Sequence, residues 1–243
     1  MAGAMTKPAV LVISGSDSSG GAGMQQDVRA LQALGVQGRF VVTAITAQGP
    51  AGVTATFPSP PDLLRAQIAA AIAIGPIGAI KIGMLGSQET IEAIAGCLPD
   101  APIVLDPVLK ASAGGLLLDR AGEEAMRRLL WPRARLITPN LPEAAHLLGL
   151  PQASTPAAVR EQAAALAAQA VLIKGGHGQG DWASDLLLDG SDYRWFRARR
   201  SARSMRGTGC LLSTAIAAGL AHGLPLAAAV GQAKRLIGRF LRG

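Results

Sequence analysis

Short, nearly uninterrupted apolar runs alternate along this chain with longer stretches in which apolar residues recur at helical spacing. The runs Ala9–Ser14, Phe40–Thr46, Gly78–Ile82, Ile103–Asp106, Leu136–Thr138 and Val171–Lys174 read as strands. Their continuity predicts burial on both faces, as in a parallel sheet covered by helices. Between them, Met24–Leu34 places Met24, Val28, Leu31 and Leu34 on one helical face. Pro61–Ile74, Gln88–Leu98, Asp119–Leu130, Leu141–Leu148 and Pro156–Ala168 read similarly. Trp182–Leu188 and Tyr193–Ala198 flank a turn containing Asp189-Gly190, which predicts an antiparallel hairpin. Two helices, Cys210–Ala221 and Pro225–Leu241, close the pattern. Strand and helix alternate without a linker or repeat, so the pattern predicts one α/β domain over 1–243, a length such folds reach undivided. Met1–Met5 is too short for a signal peptide, and Met5 reads as a native start behind a short remnant.

This layout puts chemistry-bearing residues at the carboxyl ends of predicted strands. Asp106, Asn140, Lys174 and the Ser14-Gly15 turn all fall there, on the edge where open α/β sheets collect ligands. The glycine-rich stretch Ser14–Gly23 is neither of the two common phosphate loops. Read as a Walker A loop from Gly15, its Lys position holds Gly21 and its Ser/Thr position Ala22; read as a dinucleotide fingerprint from Gly21, Gln26 replaces the third glycine. Near the other end, Gly207-Thr208-Gly209-Cys210 opens an apolar helix. Unpaired amides and the helix dipole make such a start an anion site. A thiol there is expected to have a lowered pKa, which would let Cys210 take a proton from a substrate hydroxyl near neutral pH. Plainer readings stand beside these. Gly-Thr-Gly can simply turn the chain with Cys210 as a small buried hydrophobe, and Asp106 and Asn140 can cap turns. Lys174 is less easily explained that way, because an ammonium beside a buried strand needs an anionic partner.

The formal charge of +7 invites a nucleic-acid reading, yet aromatics make up only 3% of the chain, too few for base-stacking platforms. No helix-turn-helix or RNA-binding signature occurs either. Arg194, Arg197, Arg199, Arg200, Arg203 and Arg206 instead cluster just before the Gly207 turn, where they would concentrate nucleotide and phosphorylated substrate. Cys97 and Cys210 are the two cysteines, a number and spacing that disfavour a disulfide framework or zinc site and fit a reducing cytoplasm. His146, His177 and His222 form no ligand motif. The longest apolar run, Ile68–Ile80, is interrupted by Gly75-Pro76 and ends at Lys81, short of the roughly 18 residues a membrane span needs.

Seven segments in order carry a resemblance over nearly the whole chain. They are Gly15–Gly23 with Gln25 and Asp27, Thr43–Gln48, Lys81–Leu85, Asp106-Pro107-Val108, Thr138–Ala144, Lys174–His177 and Gly207–Cys210. In them the chain resembles the hydroxymethylpyrimidine/phosphomethylpyrimidine kinases of the ribokinase superfamily. The cysteine of the last block also separates this family from most sugar kinases of the superfamily, which carry Asp there. The resemblance implies a ribokinase-like three-layer α/β/α sandwich with a mostly parallel central sheet. It implies ATP and Mg²⁺ as cofactors and phosphorylation of 4-amino-5-hydroxymethyl-2-methylpyrimidine, then of its monophosphate, for thiamine biosynthesis. Small molecules would be its ligands, with no nucleic acid or membrane, and the assembly a homodimer. By the same resemblance the amides of Gly207, Thr208, Gly209 and Cys210 hold the γ-phosphoryl group, and Cys210 is the base. Asp106, with Asn140 and Glu143, would hold Mg²⁺ mostly through water, while Lys174 approaches the nucleotide phosphates; Arg206, where the sequence departs from the family, is expected to make phosphate contacts in its own right. Asp27 and Gln48 suit the aminopyrimidine edge, Met84 and Val108 would cover the ring, and Gly15 would give close backbone approach.

Three departures qualify the resemblance. Gly49-Pro50 stands where the family usually has Asn-Thr, and Ser204-Met205-Arg206 where it has Asn-Thr-His. The chain also ends at Gly243, before the family's usual last segment. Two rival readings remain at this point. A vitamin-B6 kinase shares the fold and an aromatic hydroxymethyl substrate, although its substrate lacks the aminopyrimidine edge. A non-catalytic sensor would not need Cys210, Asp106 and Lys174 intact.

Overall fold

The computed structural model describes residues 9–49, 52–110, 115–178 and 180–242. Met1–Met5, Pro50 and Gly243, singled out above, lie outside the described residues. The strands are β1 (Ala9–Asp17), β2 (Gln37–Gly49), β3 (Gly52–Pro58), β4 (Ala79–Ile82), β5 (Ile103–Leu105), β6 (Ala134–Ile137), β7 (Ala170–Ile173), β8 (Trp182–Asp189) and β9 (Asp192–Arg199). They form one sheet in the order β3-β2-β1-β4-β5-β6-β7-β8-β9. The stretch from β2 to β7 is parallel, and antiparallel strands flank it on both edges.

Both faces of the parallel strands are covered, which is why these runs carry no polar alternation. In β1, Leu11 and Ile13 pack with α2 (Pro61–Ala73), α3 (Gln88–Ala95), α4 (Arg120–Leu129), α5 (Leu141–Leu148) and α6 (Pro156–Ala165). Val10 and Val12 point the other way, into α1 (Gly23–Leu34), α7 (Thr208–Ala221) and α8 (Leu226–Arg242). The result is the three-layer sandwich expected from the resemblance.

Two details depart from the sequence reading. β2 runs well past Phe40–Thr46, and β3 was not foreseen. β3 is an edge strand exposed along most of its length, so it has no core-facing stripe to betray it. Asp189 pairs with Asp192 in the expected hairpin, leaving Gly190-Ser191 as a two-residue loop.

Helix starts differ in a way that matters for the site. Ser87, Asp119, Asn140 and Thr155 cap α3, α4, α5 and α6 with side-chain oxygens. By contrast, α1 begins at Ala22 and α7 at Gly207 with no side-chain cap and no acid in the first turn. Both leave their first amides to another partner.

Candidate active site

A cavity of about 820 Å³ lies at the carboxyl edge of the parallel strands. Gly15, Gln48, Met84, Asp106, Val108, Asn140, Glu143, Lys174, Arg206, Gly207, Thr208, Gly209 and Cys210 all line it. Of the expected site residues, Asp27 alone does not.

The two glycine-rich segments meet across this cavity. Gly207 has φ +70°, and a Cβ there would lie 2.6 Å from the Gly21 carbonyl oxygen and 2.8 Å from Ala22 Cα. Backbone therefore touches backbone, and the left-handed geometry and the close approach both require glycine. Arg206 fastens the junction: Nη1 donates to Ser19 Oγ at 3.0 Å and Nη2 lies 3.4 Å from Asp17 Oδ2. Asp17 Oδ1 in turn accepts from the Ser19 amide and hydroxyl at 2.8 and 2.7 Å. The expected phosphate-contacting arginine thus already holds the first loop against the second. The uncapped starts of α1 and α7 are brought into one wall, directing two positive dipole ends at the cavity.

Beside them stands a cluster of opposite charges. Lys174 Nζ donates to Asp106 Oδ1 at 2.6 Å and lies 3.8 Å from Glu143 Oε2. The same Asp106 Oδ1 accepts from Thr138 Oγ1 at 3.2 Å, and Oδ2 accepts from Ser213 Oγ at 3.3 Å. Burial opposes the charge on Lys174, but Asp106 and Glu143 outweigh it and leave its pKa above the ordinary lysine value. Lys174 sits 3.3 Å from where a Gly209 Cβ would be, directly behind the anion turn. Burial pushes Glu143 up to about 7, against the pull of Lys174 and with a further push from Asp106. Asn140 does cap α5: its Oδ1 accepts from the Glu143 amide at 2.8 Å, and Glu143 Oε2 accepts from the Asn140 amide at 2.7 Å. Asn140 thus caps α5 while it lines the cavity.

Two expectations need correction. Asp27 is fully buried and offers no atom to a ligand. Its carboxylate accepts from Lys81 Nζ at 2.9 and 3.0 Å and from Thr214 Oγ1 at 2.6 Å. Asp27 shares the buried face of α1 with Ala30 and Leu31, turned into the core and not toward the aminopyrimidine edge. Cys210 does line the cavity at the start of α7, but its thiol is not acidified. Burial pushes its pKa up to about 11, against Lys81, whose charge pulls it down. Desolvation here outweighs the helix dipole.

At the other end of the cavity, Gly15 and Met84 are in close contact, a Gly15 Cβ falling 2.6 Å from Met84 Sδ. The Gln48 backbone is held by Ser18 Oγ, which accepts from its amide at 2.9 Å and donates to its carbonyl at 3.1 Å. Sequence reasoning passed over several residues that shape the site. Arg200, expected only as one of the arginines that concentrate nucleotide, donates through its guanidinium to the carbonyls of Gly175, Gly176 and Gly178. Asp185 accepts from the Gly175 amide at 2.8 Å and from Lys234 Nζ at 2.6 Å. An aspartate at the fourth position of the strand Trp182–Asp189, just before Leu186-Leu187-Leu188, is the signal for Asp185.

A family model, phosphomethylpyrimidine kinase, matches residues 17–242. The chain belongs to the phosphomethylpyrimidine kinase family. A hydroxymethylpyrimidine/phosphomethylpyrimidine kinase of Streptomyces coelicolor is 43% identical over 239 residues, covering 96% of this chain and 88% of that protein. Among solved structures, phosphomethylpyrimidine kinase from Clostridium difficile aligns with a TM-score of 0.83 at 35% identity, over 97% of this chain and all of that one. The pyridoxal kinase from Staphylococcus aureus in complex with AMP-PCP and pyridoxal aligns with a TM-score of 0.85 at 33% identity, over 96% and 87% of the two chains. These likenesses agree with the ribokinase-like fold expected from the motifs.

Proposed function

We propose that this chain transfers the γ-phosphoryl group of ATP to the hydroxymethyl oxygen of 4-amino-5-hydroxymethyl-2-methylpyrimidine, and then to the phosphate of the resulting monophosphate, in thiamine biosynthesis. The observation that carries this reading is the junction of two glycine-rich segments, with two uncapped helix starts, above the Lys174–Asp106–Glu143 cluster. Phosphoryl transfer needs phosphates held in line and charge neutralised as it moves, with little covalent help from the protein. The amides of Gly207–Cys210 hold the γ-phosphoryl oxygens, and Lys174 backs them. Met84 and Val108 cover the pyrimidine ring, and the Gln48 side-chain amide meets its polar edge.

The acidic groups suit Mg²⁺ bound in its usual way, through one or two carboxylates, water and the substrate's own phosphates. Glu143 is the better candidate, since Asp106 already serves Lys174, Thr138 and Ser213. Among the described residues no three acidic, histidine or cysteine side chains form a metal cage. When bound, such an ion neutralises phosphate charge. Cys210 is placed as the base, and it acts through its thiolate fraction, about one in a thousand at pH 8 for a thiol with a pKa of about 11.

For the assembly we read a homodimer built on the exposed edge. Ile45 and Phe57 face each other across β2 and β3 and are 59% and 70% exposed. Like edges pair readily about a two-fold axis, and sedimentation of Phe57→Glu as a monomer tests it. Two unpaired cysteines suit the cytoplasm, and among the described residues no helix is long and apolar enough to cross a membrane. The substrate is tested by incubating the protein with Mg-ATP and hydroxymethylpyrimidine, in parallel with pyridoxal, and weighing the products. Mono- and diphosphate from the pyrimidine alone support the reading; phosphorylation of pyridoxal alone overturns it in favour of a vitamin-B6 kinase.

A further inference from the structure

The lower side of α7 carries a second, fully enclosed charge pair that no step above uses. Lys81, at the end of the central strand β4, is completely buried, as is its partner Asp27 on α1. A buried ion pair is weak evidence for stability, since apolar residues of similar volume often serve as well or better. Its connections are more informative. Asp27 Oδ1 also accepts from Thr214 Oγ1 at 2.6 Å, and Thr214 stands one helical turn after Cys210 on the same face of α7. The Lys81 ammonium lies close under Gly83, 2.6 Å from where its Cβ would be, next to the Ser14 hydroxyl. One carboxylate therefore joins β4, α1 and α7 directly below the thiol.

We propose that the Asp27–Lys81–Thr214 triad is a positioning element for phosphoryl transfer, fixing the first turn of α7 against α1 and setting the field at the Cys210 sulfur. This rests on the reading of Cys210 as the base. The charged groups that act on Cys210 come from every neighbouring element: Lys81 from β4, Asp27 from α1, Asp106 after β5 and Lys174 after β7. Lys81 favours the thiolate, and Asp27 and Asp106 oppose it. Any buried ion pair would act on the sulfur with opposite signs in this way; what ties this pair to α7 is the Thr214 hydroxyl bond to Asp27, one turn below Cys210.

The test measures Cys210 alkylation by iodoacetamide at fixed pH, in a Cys97→Ala background so that one thiol reports, alongside kcat, the KM for ATP and the melting temperature. Lys81→Met should slow alkylation and Asp27→Asn should speed it, each by about tenfold, the equivalent of one pKa unit. The Thr214→Val variant keeps the shape and removes the hydroxyl bond; kcat should fall about tenfold with KM for ATP unchanged, and Thr214→Ser should restore it. Alkylation rates moving together in Lys81→Met and Asp27→Asn, or Thr214→Val losing only melting temperature, overturn the proposal. If the charge variants fail to fold, the Thr214 pair decides alone. The Thr214 comparison can be run on whichever hydroxymethyl substrate the protein phosphorylates, so failure on the pyrimidine would sink the substrate assignment while the kcat of the Thr214 pair on pyridoxal still decides the triad.

Discussion

Gly207→Ala separates backbone strain from the contact that builds the anion turn, because the molecule supplies its own control. Gly207 and Gly35 have nearly the same backbone angle, φ +70° and +68°. Alanine in that conformation costs about 1 kcal/mol at either place. The surroundings differ. Among the described residues nothing lies within 4 Å of a Gly35 Cβ, whereas one at Gly207 would be 2.6 Å from the Gly21 carbonyl oxygen and 2.7 Å from Gln26 Cγ. Ordinary contact begins near 3.4 Å, so the turn or the loop must give way by something approaching 1 Å. Misplacement on that scale costs roughly 10²-fold in rate where reacting groups must be in line. Gly35→Ala should therefore lose about 1 kcal/mol of stability in urea denaturation and keep kcat within about twofold. Gly207→Ala should lose at least as much stability and about 100-fold in kcat, read as ADP release with the pyrimidine saturating. Equal kcat in the two variants would refute the claim that this junction holds the transferred group.

Three further outcomes are expected. Cys210→Ala should lower kcat by roughly 10²–10⁴ while nucleotide still binds, and for the native protein log kcat/KM should climb with about unit slope from pH 7 to 10, because the base titrates near 11; a flat profile would assign proton transfer elsewhere. Gln48→Ala should raise the KM for the pyrimidine about tenfold, the worth of one lost hydrogen bond, and leave that for ATP alone; an unmoved pyrimidine KM removes Gln48 from the pocket. Glu143 is raised in the folded state from 4.5 to about 7, so the native protein holds its proton more tightly than the unfolded chain. Stability of the ligand-free protein should fall between those two pH values, by up to about 3 kcal/mol, and Glu143→Gln should flatten that decline in thermal melts.

The layers and most of the cavity were legible because they depend on local pattern. A strand buried on both faces writes itself as an apolar run, as Val10–Ile13 does, and the sheet's parallel order then gathers every strand end on one edge. What the sequence could not convey was pairing across distance. Asp27 looks the same on a helix whether it faces a ligand or a lysine 54 residues away, and only the packing of α1 against β1 and α7 decides. Cys210 went astray for a related reason. The helix dipole is a local rule that can be read from Gly-Thr-Gly-Cys, but the burial that overrides it, and the charges of Lys81, Asp27 and Asp106 that act on the thiol, come from residues distant in sequence. β3 escaped because an exposed edge has no stripe, although Val53, Thr54, Thr56 and Phe57 carried the β-branched and aromatic signal.

Four cations in and beneath the site are already matched. Lys174 is held by Asp106, Lys81 by Asp27 and Lys234 by Asp185, at 2.6, 2.9 and 2.6 Å, and the half-buried Arg206 faces Asp17. Among the described residues, the cations without a carboxylate partner, Lys110, Arg199, Arg200 and Arg203, also line the cavity, and Arg200 is taken up by carbonyl oxygens. An incoming polyphosphate finds backbone amides at two uncapped helix starts, whose dipoles are fixed and need no rearrangement. Such donors neutralise only part of a triphosphate, and the remainder has to arrive with the nucleotide as a bound cation, for which the raised Glu143 carboxylate is a waiting partner. At the Gly207 turn itself, phosphate recognition consequently resides in glycine positions. That is why a backbone change at Gly207 is expected to damage the reaction even though it alters no charge at all.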